Sequence, residues 1–261
     1  MYCSNFAHFI AFMENKTNET KTLLKIQSKF LKVIKDYRLI ENDDNILIGL
    51  SGGKDSLALV ELLGERMKIF VPRFTLTAVH ISIENIPYQT DLDYLKTYCE
   101  QFGVKFVHHI TKFDETTDNN KSKCFLCSWY RRKALFEVAK ELKCNKIALG
   151  HHLDDIAETL LMNLVFQGSF GSMPPLLKMD KFDISLIRPL ALITEKQMIE
   201  FESIRQLKKQ IKNCPFEKLS SRKDAKKLLL ELEKWNPNVR QSLWKATENV
   251  KSDYLPLKKR L

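Results

Sequence analysis

The sequence predicts an α/β protein with a parallel sheet and helices on both faces, and two observations lead there. Strand-like and helix-like stretches alternate from residue 46 to residue 167. The first strand, ILIGL at 46–50, turns through two glycines directly into a helical run, an early phosphate-type turn. A chain of 261 residues can bury a full core, and it reads as one large domain with appendages.

Taken in order, residues 14–20 are polar and expected to be loose. Leu23, Ile26, Phe30, Ile34 and Tyr37 then recur at helical spacing, giving an amphipathic helix over 21–39. After the first strand, Leu59, Leu62 and Leu63 share one side of a helix. FTLTAVHISI (74–83) is a second strand. Leu92, Leu95, Cys99 and Phe102 stripe a helix over 91–102, and 104–110 is a third strand. A polar loop at 111–123 precedes a long helix from about 125 to 142 and a strand at 146–149. Gly150 breaks that strand, and a helix runs from about 154 to 167. A loop with Pro174–Pro175 covers 168–177, and 184–187 reads as a short strand. The rest, from Thr194, reads as helical and basic. The expected organisation is an N-terminal extension with its helix (1–40), a core domain (41–193) and a basic helical C-terminal segment (194–261).

The stretch Ser51, Gly52, Gly53, Lys54, Asp55, Ser56 (SGGKDS) sits at the strand-to-helix turn. Free backbone N–H groups and the helix dipole favour an anion there, and glycines allow close approach. The serines add hydroxyl donors, Lys54 a point charge, and Asp55 a carboxylate suited to Mg²⁺. Ligands of open α/β sheets bind at the carboxyl ends of the strands, where this turn falls. The spacing is not that of the Walker loop or the dinucleotide fingerprint. SGGKDS resembles the PP-loop of the ATP pyrophosphatases, which cleave ATP to AMP and pyrophosphate while adenylating a substrate. His80, in the second strand, joins the nucleotide-site candidates.

Lys and Arg exceed Asp and Glu by 42 − 32 = 10, so polyanions should be attracted. No apolar run reaches the roughly 18 residues of a membrane span. The N-terminus, MYCSNFAHFIAFM, lacks the basic flank and cleavage site of a signal peptide, and a translation start at Met13 is expected instead. A cytoplasmic, membrane-free protein is the expectation, and paired thiols there more often mean metal or redox chemistry than disulfides.

Cys124 and Cys127 form a CxxC at a helix N-terminus, where the dipole favours thiolates. Zinc, an iron–sulfur cluster, a redox dithiol and two packed cysteines all fit that pair. Cys99 and Cys144 read as small core residues, and Cys3 falls in the doubtful leader. Cys214, in the polar stretch KNCPF, has no core role to fill and is nominated as a third ligand. GHHLDD (150–155) forms another cluster. Gly150 allows a nucleotide to pack on backbone, and one of Asp154 and Asp155 can cap the helix. Asp155 is the candidate for Mg²⁺ binding or proton transfer, while His151 and His152 either contact nucleotide or finish the strand. Arg131, about two turns into the cysteine helix, could face phosphate or RNA. Arg188 reads as structural, and Trp235 and Trp244 read as packing residues.

SGGKDS, the CxxC about seventy residues later, KIALGHHLDDIAETLLMN, the MPP turn and IRPL together resemble the tRNA 2-thiocytidine synthetases, over roughly residues 39–249. That resemblance implies the adenine nucleotide alpha hydrolase-like fold and a 4Fe–4S cluster on Cys124, Cys127 and Cys214. It implies ATP with Mg²⁺, and catalytic roles for Asp155, Lys54 and Arg131. The implied reaction adenylates the 2-oxygen of an anticodon-loop cytidine, position 32, before sulfur displaces AMP. Implied partners are tRNA and a cysteine-desulfurase-derived or other sulfide donor, and a homodimer is compatible with it. Lys208, Lys209, Lys212, Arg222, Lys223, Lys226, Lys227, Lys121 and Lys123 are candidates for the tRNA backbone. One departure stands out: the family usually has a second CxxC where this chain reads Cys214, Pro215, Phe216, Glu217. A uridine-specific thiolase of the same machinery and a non-catalytic RNA-binding or iron-sensing relative are the competing readings. A lysidine-forming ligase has no use for three cysteines, and GMP or NAD synthetases would need an ammonia source.

Overall fold

A computed structural model describes residues 2–86, 90–112, 123–179, 182–210 and 222–256, with side chains described from Thr17 onward. The chain divides into two compact units, residues 1–152 with 175–219, and residues 153–174 with 220–261.

The first unit is built on a six-stranded sheet in the order β3-β2-β1-β4-β6-β5. Its strands are β1 (Asp44–Gly49), β2 (Phe74–Ile83), β3 (Lys105–Thr111), β4 (Lys146–Ala148), β5 (Leu176–Lys178) and β6 (Ser185–Ile187). Neighbours pair in parallel, except that the edge strand β5 runs antiparallel to β6. The predicted α/β class stands, and β5 is an addition at the end of the expected 168–177 loop. β1 is central: Ile46, Leu47 and Ile48 are fully buried, as expected of a parallel strand covered on both faces.

Helix α1 (Tyr2–Asp36) is longer than expected. Residues 14–20 belong to it: they are polar, but the helix contains no Pro or Gly to end the ladder. Its predicted apolar stripe is real, with Ile26, Phe30 and Ile34 buried and Val33 joining them. Helices α2 (Lys54–Met67), α3 (Leu92–Gln101) and α4 (Lys123–Glu141) follow β1, β2 and β3 in turn. α4 lays Leu135, Val138 and Ala139 on Leu47, Val79 and Ile147, while α2 packs against β1 and β2. Side chains alternate along a strand, so Ile46 and Ile48 face away from Leu47. Helix α5 (Leu153–Gln167) follows β4, and α6 (Glu195–Arg205) opens with a Thr194–Gln197 capping box. Lys29 of α1 donates to Gln197 at 2.8 Å, tying α1 to α6.

The chain goes from β1 outward through β2 to β3, then returns to the other side of β1 for β4. The strand order therefore reverses between β1 and β4, and the loops leaving their carboxyl ends emerge side by side. That is where open α/β sheets hold ligands.

In the second unit, α7 (Arg222–Trp235) and α8 (Val239–Glu248) pack on α5. Ala157, Leu161, Leu229 and Val239 form its core.

Gly64 marks a close contact in the first unit. A Cβ there would lie 2.6 Å from Phe102 Cβ and 2.8 Å from the Phe102 carbonyl oxygen. Since backbone must move to admit it, Gly64→Ala should destabilise the protein by about 1–3 kcal/mol, read as a lower urea midpoint with an unchanged slope.

Candidate functional site

The predicted strand-to-helix turn forms at residues 51–56. Gly52 takes φ +79°, a conformation L side chains rarely adopt. Gly53 then caps α2 without a side chain, so no cap oxygen occupies the first amides of the helix. The serines brace the turn: Gly53 N–H donates to Ser51 Oγ at 3.3 Å, and Ser56 Oγ donates to the Gly53 carbonyl at 2.9 Å. The two hydroxyl oxygens stand 3.2 Å apart. Lys54 Nζ lies 3.1 Å from Asp55 Oδ2. The other carboxylate oxygen, Asp55 Oδ1, is buried with no hydrogen-bond partner among the described residues.

The loop after β4 presses on this turn. A Cβ on Gly150 would meet the Asp55 carbonyl carbon and oxygen and the Ser56 nitrogen, each at 3.2 Å. Glycine here permits contact between two backbones, in addition to any it makes with a ligand. His151 is half-buried and His152 buried. From β2, His80 reaches the end of β1 and places Nδ1 2.8 Å from the Leu50 carbonyl oxygen. A carbonyl only accepts, so Nδ1 carries the proton and Nε2 is left as an acceptor in the neutral ring. Burial is the main cause holding the His80 pKa below its usual value, and Arg131 on α4 adds to the effect by its charge. Ser51, Gly52, Gly53, Lys54, Asp55, Ser56, His80, Arg131 and Gly150 therefore gather at one end of the sheet.

A cleft of about 470 Å³ opens beside the loop, lined by Gly52, Gly53, Lys54 and Asp55 and by Lys208, Lys209 and Gln210 beyond α6. Nothing in the sequence singled out Gln210. Lys208, a candidate for the tRNA backbone, instead pairs with Asp91, the N-cap of α3, at 2.5 Å.

On α4, Cys124 and Cys127 stand three residues apart at the start of the helix, both residues partly exposed. The first turn carries no acidic residue. Ile83, Ile86, Leu126 and Tyr130 form an apolar surround at Cys127. Cys99 and Cys144 are buried, as expected of small core residues. Burial pushes their thiols up to about 12 and about 11.

In the second unit, Asp155 is 18% exposed and lies 3.4 Å from Arg222 Nη2. Arg222 also reaches Glu158 at 3.5 Å. Asp154 pairs with Arg240, which in turn holds Glu233 at 2.7 Å. Arg222, expected to face RNA, is engaged with the α5 carboxylates. Lys209, Lys223, Lys226, Lys227 and Lys123 are exposed. Trp244 is buried as expected, but Trp235, at the end of α7, is 86% exposed and packs no core. Arg188 is buried. Cys214, Glu217, Lys212 and Lys121 lie outside the described residues.

Residues 22–211 match the PP-loop domain family. The chain is 35% identical over 243 residues to the tRNA-cytidine(32) 2-sulfurtransferase of Geobacter sulfurreducens, covering 88% of this chain and 91% of that protein. The chain belongs to the tRNA 2-thiocytidine synthetase family of PP-loop proteins. The counterpart from Geotalea uraniireducens is also 35% identical, over 91% of this chain and 96% of its own. Among solved structures, the U34-tRNA thiolase NcsA from Methanococcus maripaludis, with its 4Fe-4S cluster, aligns with a TM-score of 0.73 at 28% identity. That alignment covers 92% of this chain and 84% of NcsA.

The donors present suit the groups this family implies. Two partly exposed cysteines at the positive end of a helix, without an acidic residue in its first turn, fit a thiophilic iron site. Among the described residues no group of three or more His, Cys, Asp or Glu converges on a metal, and the third predicted ligand, Cys214, lies outside them. The buried Oδ1 of Asp55 fits a hard cation such as Mg²⁺. No helix of the described residues is long and apolar enough to cross a membrane.

Two outcomes follow from this geometry. Gly150→Ala must displace the first turn of α2 by a few tenths of an ångström, and ATP affinity should fall several-fold while the fold persists, measured by calorimetry. Iodoacetamide at pH 8 should alkylate Cys124 and Cys127 in the native apoprotein and reach Cys99 and Cys144 only after denaturation, read by peptide mass mapping.

Proposed function

We propose that the protein is an ATP-dependent tRNA sulfurtransferase that activates the 2-oxygen of cytidine 32 and exchanges it for sulfur. One observation carries the reading: near full-length similarity to relatives named tRNA-cytidine(32) 2-sulfurtransferase. The phosphate turn and the thiol pair on one α/β sheet support it.

The 2-oxygen of a pyrimidine is a poor leaving group, and adenylation turns it into AMP. In this proposal the α2 amides, Ser51, Ser56 and Lys54 hold the polyphosphate. They stabilise the charge that develops on departing pyrophosphate, with Asp55 holding Mg²⁺. Gly52, Gly53 and Gly150 let the nucleotide approach backbone, and His80 offers a neutral ring acceptor beside it. Arg131 offsets phosphate charge, and Asp155 binds Mg²⁺ or handles the proton. Cys124, Cys127 and Cys214 would hold the 4Fe–4S cluster, which supplies sulfur for the exchange when bound. A loop base can be splayed into such a pocket, unlike a base inside an RNA helix. Exposed Lys123, Lys209, Lys223 and Lys226 serve the RNA backbone. The sulfide comes from a cysteine desulfurase or another donor, in the cytoplasm, and a homodimer fits the family.

Similarity to the U34-tRNA thiolase favours a second reading in which the base is a uridine. A nucleoside digest of tRNA from cells with and without the gene separates the two by mass spectrometry. Loss of 2-thiocytidine alone is the expected result, and neither Cys127→Ala nor Asp155→Ala should restore it. Loss of a 2-thiouridine instead would overturn the base assignment, and unchanged thionucleosides would overturn the sulfurtransferase reading.

A further inference from the structure

Gln210 lies outside every motif of the sequence, yet it lines the cleft beside the phosphate loop. Its Cγ is 3.0 Å from the position a Cβ on Gly52 would take. Gln210 Oε1 accepts the Asp91 N–H at 2.9 Å. A backbone N–H can be met only by the amide oxygen, so that bond orients the side chain and assigns Nε2 to the other side. Lys208, two residues earlier, is fastened to the same Asp91, whose carboxyl the Lys208 ammonium and the Tyr94 N–H hold below its usual pKa. The 207–210 segment is thus tied to the start of α3, and it presents Gln210 to the loop.

Nε2 of Gln210 is buried and has no hydrogen-bond partner among the described residues. A buried amide donor without an acceptor is costly to keep. Its surroundings include Gly52, Gly53 and Lys54 of the loop, with Lys208 and Lys209 on the same cleft. Lys54, Lys208 and Lys209 outnumber Asp55 and Glu202 on this cleft, and a phosphate oxygen is a strong acceptor for an amide N–H.

We propose that Gln210 is a nucleotide-binding residue whose Nε2 donates to the polyphosphate of ATP held at Gly52. The proposal rests on the reading of the loop as an ATP site and adds a donor from a distant part of the chain.

The test is calorimetric binding of ATP, inorganic pyrophosphate and adenosine to wild-type protein and Gln210→Glu. Glutamate keeps an oxygen for the Asp91 N–H, so a purely structural role would survive the change. ATP and pyrophosphate affinities should each fall by about tenfold or more, with adenosine affinity and melting temperature unchanged. If Gln210→Glu does not fold, Gln210→Met, which adds no charge but gives up the Asp91 bond, is read by the fall in ATP and pyrophosphate affinity against adenosine affinity, without the melting-temperature criterion. Undiminished ATP affinity, or an equal loss for adenosine, would overturn the role of Gln210 while leaving the ATP site standing. Wild-type protein that binds no ATP would overturn the site reading and this one with it.

Discussion

The approach of the β4 loop to the first turn of α2 governs the geometry of the SGGKDS turn. Strand order reverses between β1 and β4, so the two loops leave the sheet as neighbours. Gly150 lets them meet backbone to backbone, with the Asp55 carbonyl and Ser56 N–H as the surfaces touched. The loop amides are then fixed in direction before any ligand arrives, the condition under which hydrogen-bond donors stabilise developing charge without reorganising. The positive φ of Gly52 and the Ser51 and Ser56 hydrogen bonds serve the same constraint from within the loop.

Around this turn the cleft carries Lys54, Lys208 and Lys209 beside the carboxylates of Asp55 and Glu202. His80 is held neutral at the end of β1, chiefly by burial, so a titratable ring sits close to the loop without adding charge of its own. In the second unit the α5 carboxylates are each matched by an arginine from a later helix, Arg240 for Asp154 and Arg222 for Asp155 and Glu158. Burial of acidic groups on α5 is tolerable because these partners are present.

The thiols divide by environment. Cys99 and Cys144 face the core, where burial disfavours the thiolate and makes them poor nucleophiles or ligands. Cys124 and Cys127 share the partly exposed start of α4. Residue type alone could not make this distinction. The apolar stripe of α3 and the start of β4 did make it, since each placed its cysteine among core positions.

Much of the protein was legible in its sequence because the relevant signals are local. Strand β2 lies where its pattern placed it, and α2 through α5 follow their stripes within a few residues. SGGKDS acts through its own backbone, so its turn could be read from six adjacent letters. Other features depended on distant residues meeting. The polar 14–20 stretch continues α1, since no residue in it stops a helix. Trp235, at the end of α7, is exposed, which an apolar letter does not reveal. By itself the sequence determined the succession of strands and helices along the chain, the glycine turn after the first strand, the thiol pair and the family. Only the tertiary structure decided that Gln210 reaches Gly52, that Arg222 holds Asp155 and that Gly150 touches Asp55. Those contacts join residues from 67 to 158 positions apart (222 − 155 and 210 − 52). Such pairs are set by how elements pack, and neither partner carries a mark of the other in its own neighbourhood.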